Sequence, residues 1–194
     1  MSVGWVGGNS QQLIRARGYT VVLRHMTTDL VATFEDSLRG LDVTWDRTTS
    51  DGFETTLTEA IEEPAIGAPL PFAELSLEET PVTLEPTATE LQEATTGVTA
   101  AGAGIAEYGT LMIQSRPGGD EPVSLYAEVH VAVLRESDLV AGVPEAISWL
   151  GEEFAAGNKS AIFASGASAT ADMGALIEGV HGPRDVHVII ITDL

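Results

Sequence analysis

The chain closes on Val186-His187-Val188-Ile189-Ile190-Ile191-Thr192, a β-branched run in which positions 188 to 191 are all apolar. A strand wetted on one face alternates apolar with polar residues, whereas a strand covered on both faces has no need to. The run therefore reads as a buried strand of a parallel sheet, and such a sheet needs helices on both faces. Helix and strand signals do alternate upstream of it. Residues 161–164 read as a strand, followed by a Gly/Ser/Thr turn and a helix over 171–177. Pro144 suits the first turn of a helix with a face of Ile147, Leu150 and Phe154, closed by Gly157. Val129, Val131 and Val133 alternate as a strand, residues 114–122 are polar loop, and residues 104–107 and 110–114 flank Tyr108-Gly109 as strand, turn, strand.

Five prolines between residues 64 and 88 mark a connecting stretch with at most short strands, and a brief helix follows near 90–94. Further upstream, Asp51 can cap a helix carrying Phe53, Leu57 and Ile61, which Pro64 ends. Thr27, Thr28 and Asp29 are good cap residues for another carrying Leu30, Phe34 and Leu38; it stops at Gly40, and Leu41, Val43 and Trp45 follow as a strand. The expected fold class is α/β, a largely parallel sheet flanked by helices.

The chain has 194 residues, 29 acidic against 9 basic, a formal charge of -20, 44% hydrophobic residues and no cysteine. That apolar fraction is too high for an acidic disordered chain, and the length suits one domain. Without thiolates this sequence offers no disulfide, no Cys-based zinc or iron–sulfur site and no cysteine nucleophile. Its charge opposes unaided binding to nucleic acid or to anionic membrane surfaces. No apolar run approaches the roughly 20 residues of a spanning helix, so no membrane insertion and a cytoplasmic location are expected. Lys159 is the sole lysine. Acid excess spread along the chain with so few lysines resembles proteins of salt-loving organisms, in which concentrated salt screens carboxylate repulsion.

Residues 1–25 differ from the rest. They hold Arg15, Arg17, Arg24 and His25 but no acid. The expectation is a single domain over 26–194, with 1–25 an extension or a mis-called start. An edge strand from the alternation Tyr19, Val21, Leu23 is a further option, and the arginines also echo an organelle transit peptide, although Gly4, Gly7 and Gly8 spoil a helical face.

Three segments have chemical potential. The first is Ser165-Gly166-Ala167-Ser168-Ala169-Thr170-Ala171-Asp172, read as the corner between a buried strand and a helix. Small residues there allow close backbone approach to an anion at the carboxyl end of the strand; Ser168 and Thr170 either donate to a ligand or cap the helix. The second is His181-Gly182-Pro183-Arg184, where Gly182 permits positive φ and Pro183 stiffens a loop presenting an imidazole and a guanidinium. The third is Ile105-Ala106-Glu107-Tyr108-Gly109-Thr110-Leu111, where Glu107 is either a buried base or nucleophile or a turn-stabilising surface carboxylate. His130 and His187 lie within strands and read as packed or hydrogen-bonded. No histidine and carboxylate set has metal-ligand spacing, and no nucleotide-type glycine loop occurs.

Together with Gly97-Val98-Thr99, the stretch Ser124-Leu125-Tyr126-Ala127-Glu128-Val129-His130-Val131-Ala132-Val133, and Gly179-Val180, these segments resemble the lactate-utilisation protein C family, built on the LUD domain. The resemblance runs from about Thr96 to Leu194 and more loosely over 26–94. It implies the fold of NagB/RpiA-type isomerases and CoA transferases. It also implies oxidation of L-lactate to pyruvate by a multi-protein system in which partner subunits hold the iron–sulfur clusters and this chain holds no cofactor. The implied pocket is lined by Glu107, Gly109, Thr110, Gly166, Ser168, Thr170, Asp172, His181 and Gly182. Glu107 and His181 are the candidate catalytic groups, and Arg184 is an added ligand contact for a small carboxylate or other anionic metabolite. Departures from the family pattern are Ala167 for a proline, Ala169 for a basic residue, Ala127 for a proline and Tyr108 for a small hydroxyl residue. Loss of the basic residue weakens anion binding, which leaves open a non-catalytic binding or assembly module; the fold alone also suggests a stand-alone sugar-phosphate isomerase or acyl transferase. Each pocket reading requires the 165–172 and 181–184 corners to share one cleft.

Overall fold

The computed structural model describes residues 11–16, 19–24, 29–170, 177–179 and 181–194. In chain order the elements are β1 (Gln11–Ala16), β2 (Tyr19–Arg24), α1 (Leu30–Gly40), β3 (Thr44–Thr48), α2 (Phe53–Ala60), β4 (Ala65–Gly67), β5 (Val82–Leu84) and α3 (Ala88–Glu93). There follow β6 (Thr96–Ala100), β7 (Ala103–Ile105), β8 (Thr110–Gln114), α4 (Asp120–Tyr126), β9 (Val129–Arg135), β10 (Leu139–Val140) and α5 (Val143–Ala155). The last are β11 (Ala161–Ser165), β12 (Ala169–Thr170), β13 (Ile177–Glu178) and β14 (Asp185–Ile191).

Six strands lie side by side in the order β3-β14-β9-β6-β4-β5, and every neighbouring pair is parallel. The terminal strand β14 thus has a partner on each side, and Val188 to Ile191 are fully buried. Alternation sorts the side chains even in this all-apolar run. Val131, Val133, Ile189 and Ile191 join Phe53 and Leu57 of α2 on one face. Ala132, Leu134, Val188 and Ile190 join Phe34 and Leu38 of α1 on the other. Each such large side chain contributes about 1.5–3 kcal/mol on burial, so both coverings are needed to hold the sheet.

A second sheet, β10-β7-β8-β11, is parallel only at its first pair and antiparallel after it. Its Leu111 packs toward α1 and the parallel sheet, while Ala103, Ile105 and Met112 pack toward α5. The expected α5 face is corrected here. Ile147 and Phe154 are 54% and 47% exposed, and the helix seats on Ala146, Trp149 and Leu150. Gly102 explains the rotation, because a Cβ there would stand 2.6 Å from the Trp149 ring; its absence opens the seat that the indole fills.

Other elements depart from the sequence reading in detail. The polar stretch before residue 122 contains the start of α4, held by the buried Asp120, whose carboxylate takes a two-pronged ion pair from Arg116. Asp29 does cap α1, accepting from the Ala32 amide at 3.2 Å. Asp51 does not cap α2: it lies in the short turn Ser50–Gly52, and Gly52 holds the cap position. The strand after α1 begins at Thr44 rather than Leu41, after a left-handed Asp42 at φ 56. Ile177 sits in a strand, paired with Thr170, and not in a helix; residues 171–176 lie outside the described residues. The strand at 19–24 pairs with β1 as a hairpin and extends neither larger sheet. Among the described residues no helix is long and apolar enough to cross a membrane.

Candidate functional site

β11 runs antiparallel to β8 and ends where Ser165 pairs with Thr110, their hydroxyl oxygens 2.6 Å apart. Gly166 then turns the chain at φ +73, a conformation that disfavours a side chain. The next residues meet the loop before β14. The Ser168 amide donates to the Pro183 carbonyl at 2.8 Å, and the Gly179 amide donates to the Ser168 carbonyl at 2.9 Å. A Cβ on Gly182 would lie 3.1 Å from that of Ser168. Gly182 is therefore required for close approach and not, as its sequence context suggests, for positive φ.

The two corners share a cavity of about 230 Å³ with Ile113, Ser124, Leu125, His130, Ile162 and Val186. It lies between the two sheets. His130 is the second residue of β9, in register with Val186 of β14 and Gly97 of β6. The cavity consequently opens at the amino ends of the parallel strands, not at the carboxyl ends expected from the sequence. The carboxyl-end relation holds only for β11, which belongs to the smaller sheet.

The inner cavity contains no fixed charge among its described lining residues; His130 and His181 are the ionisable groups. His130 is 1% exposed and its Nε2 lies 2.9 Å from Thr99 Oγ1. Burial pushes its pKa down to about 4, so the ring is neutral at pH 7. His181 is exposed at the mouth, where an outer groove of about 590 Å³ continues past Tyr126, Glu128 and Arg184. Arg184 is exposed and paired with Asp185 at 3.2 Å and Glu128 at 3.7 Å. Its hydrogen bond to Asp185 holds its pKa above the usual guanidinium value, and its charge is shared with two acids outside the inner cavity.

Gly166, Ser168, His181 and Gly182 are thus brought together, with Thr110 behind Ser165. Glu107 and Gly109 are not. The Glu107 side chain is exposed, its amide donates to the Ala141 carbonyl at 3.1 Å, and its carboxylate lies beside Gly142 at the start of α5. The expectation of a buried base there is not met. Gly109, at φ +60, turns the chain into β8 against Ser37 and Leu38 of α1. Thr170 has its backbone in β12, and Asp172 lies outside the described residues. The anion cradle expected from a helix start is also reduced, since the strand pair β12-β13 follows the corner and the Ser168 amide is committed to Pro183. His187 stays structural, with Nδ1 2.8 Å from Thr44 Oγ1. Sequence reasoning missed His130 as a lining residue, because a histidine inside a strand has the same local signal whether it faces packing or a cavity. Among the described residues no group of three or more His, Asp or Glu could hold a metal ion.

Fold and site together define an α/β protein with a mostly parallel sheet and an apolar-walled pocket between that sheet and a smaller one. The chain belongs to the LUD domain family, whose model matches residues 11–191. It is 34% identical to a lactate utilization protein C of Deinococcus radiodurans over 104 residues, which cover 53% of this chain and 49% of that protein. A lactate utilization protein C of a Geobacillus species is 31% identical over 106 residues, 53% of this chain and 44% of its own. One from an Exiguobacterium species is 32% identical over 102 residues, 50% and 44% of the two chains. The aligned region spans about half the length of these curated relatives. The crystal structure of a DUF162 family protein from Deinococcus radiodurans superposes with a TM-score of 0.66 at 20% identity, covering 84% of this chain and 96% of the other. That likeness concerns the fold.

Proposed function

We propose that the chain is a LUD-domain component of a lactate-utilising system and that the cavity between residues 165–168 and 181–183 binds L-lactate or pyruvate. The observation that carries the reading is the meeting of the two corners in one cavity, in a chain whose relatives carry the lactate utilization name. A cavity of this volume suits a ligand smaller than the drug-sized molecules that fill typical pockets. Ile113, Ile162 and Val186 supply an apolar wall for the methyl group, and Ser168 and His181 stand at the mouth for the carboxylate. His181, exposed at the mouth, holds the carboxylate in place while L-lactate gives up two electrons, its hydroxyl and Cα protons passing to water. Glu107, on the α5 side of the small sheet, takes no part. With no cysteine in the sequence, the electrons pass to partner subunits bearing iron–sulfur clusters.

A binding or assembly role without chemistry is the second reading, favoured by the absence of Lys and Arg from the described lining of the inner cavity. Reconstitution of the chain with its partners and measurement of L-lactate oxidation, with His181→Ala compared to the native chain, separates the two. The catalytic reading expects a loss of about a hundredfold or more. An unchanged rate with an intact complex removes it and leaves the binding role.

A further inference from the structure

An imidazole kept from water loses its usual office as a proton carrier, because its charged form is the one that desolvation penalises. What it keeps is a pair of ring nitrogens, one a donor and one an acceptor. His130 meets that description: it is 1% exposed, its Nε2 is engaged by Thr99 Oγ1 at 2.9 Å, and the residue lines the cavity. Thr99 is itself fully buried on the neighbouring strand β6. Ser124, 2% exposed, reaches the same cavity from α4, its hydroxyl donating to the Glu121 carbonyl at 2.8 Å. The remaining inner wall near them is Ile113, Ile162 and Val186. This end of the cavity therefore offers hydrogen bonds without charge, and the exposed His181 lies at the other end.

We propose that His130 is a ligand-contacting residue that recognises an uncharged oxygen, the hydroxyl or carbonyl that a small 2-hydroxy or 2-oxo acid carries beside its carboxylate. The inference rests on the metabolite-binding reading and specifies which end of the molecule enters first. The uncharged oxygen goes inward to His130, and the carboxylate stays at the mouth with His181. Since Thr99 takes Nε2, the ligand meets Nδ1. A hydroxyl partner such as Thr99 can donate or accept, so the ring can present Nδ1 as an acceptor to the alcohol or as a donor to the ketone. A carboxylate partner in place of Thr99 would fix one tautomer. Thr99 is accordingly a positioning residue, and the pair suits both oxidation states of one substrate.

The test uses the full chain labelled with ¹⁵N-histidine, with the imidazole nitrogens followed by NMR as L-lactate, pyruvate or propionate is added. Propionate has the carboxylate and lacks the second oxygen. The expected result is that His130 Nδ1 shifts with lactate and pyruvate but not with propionate, while His181 shifts with all three. If His181 responds and His130 does not, the inference is overturned and the metabolite reading survives; if neither responds, both fall. In parallel, His130→Gln, which keeps a neutral donor and acceptor, should bind pyruvate about tenfold more tightly than His130→Leu. Equal losses in two folded variants would mean that the residue only packs. Should the leucine variant not fold, Thr99→Val decides: it is expected to abolish the difference between the lactate and pyruvate responses at Nδ1, and an unchanged difference counts against the proposal.

Discussion

β14 and β11 each lead to one corner of the cavity, yet they are built on opposite principles. β14 has a parallel partner on either side, and Val188 to Ile191 are fully buried. β11 is the outer strand of its sheet, paired only with β8, and its Phe163 is 42% exposed. The parallel sheet concentrates apolar burial and has little polar chemistry on its faces; the smaller sheet has less to bury and supplies the small, hydroxyl-rich turn. Sites of this kind combine a rigid scaffold with a less constrained rim. The cavity sits where the amino ends of β9 and β14, fixed by their neighbours, meet that rim.

The contrast is most easily broken with one methyl group on each side. In the parallel sheet, Gly97→Ala would place Cβ 2.3 Å from the Val123 carbonyl oxygen of α4, a backbone atom that no rotamer can move aside. The expected cost is about 3 kcal/mol or more, read from the urea unfolding midpoint. Gly166→Ala at the rim has its nearest neighbour at 3.4 Å and mainly the penalty of φ +73, about 1 kcal/mol. Equal losses at the two positions would erase the distinction between scaffold and rim.

The second effect is pH-dependent and comes from the scaffold side of the cavity. His130 titrates near 6.5 in the unfolded chain and at about 4 when buried. Between those values the unfolded chain holds the extra proton, so acid favours unfolding through this group, with nothing lost above pH 6.5 and the full effect reached near pH 4. The full term is about 3 kcal/mol. Unfolding midpoints at pH 7 and pH 4.5 should lie closer together in His130→Gln than in the native chain. An identical pH response in both chains would show that the ring is wet.

Much of the scaffold is legible in the sequence, because it rests on periodicity. The run at 188 to 191, the alternation at 129 to 133 and the Asp29-led helix each follow from local rules that burial then reinforces. Thr96-Gly97-Val98-Thr99-Ala100 was not legible as a strand, since its glycine answers to α4 pressing on it and that contact is long-range. The site was half legible. Gly166, Ser168, His181 and Gly182 announce themselves as two loops, but their hydrogen bonds span the insertion of β12-β13 and depend on tertiary placement. Glu107 misled because a carboxylate before a tight turn looks alike whether it faces a pocket or the start of another helix.

A smaller effect is expected from the amino-terminal stretch. β1 and β2 pair with each other and, among the described residues, with no strand of the two larger sheets, and we propose that the folding unit begins near residue 26. Removal of residues 1–25 should leave the unfolding free energy of the remainder changed by about 1 kcal/mol at most, the typical size of a single-site change. An insoluble product would assign the hairpin to the core.

The smallest effect sharpens the comparison from the outer side of the small sheet. By spacing alone, Ile147, Leu150 and Phe154 form the apolar face of α5, and burying all three would make each worth about 2–5 kcal/mol on truncation. The helix instead turns Ala146, Trp149 and Leu150 inward, with Trp149 in the space left by Gly102, and leaves Ile147 and Phe154 about half exposed. Ile147→Ser and Phe154→Ser should therefore shift stability by only about 0.5 kcal/mol, whereas Trp149→Ala should cost about 3 kcal/mol because it empties that space. Calorimetric midpoints of the three variants give the ranking directly. If Ile147→Ser proves as costly as Trp149→Ala, the helix is rotated back to the face its sequence advertises, and the small sheet is a second buried core whose edge strand no longer differs in kind from β14.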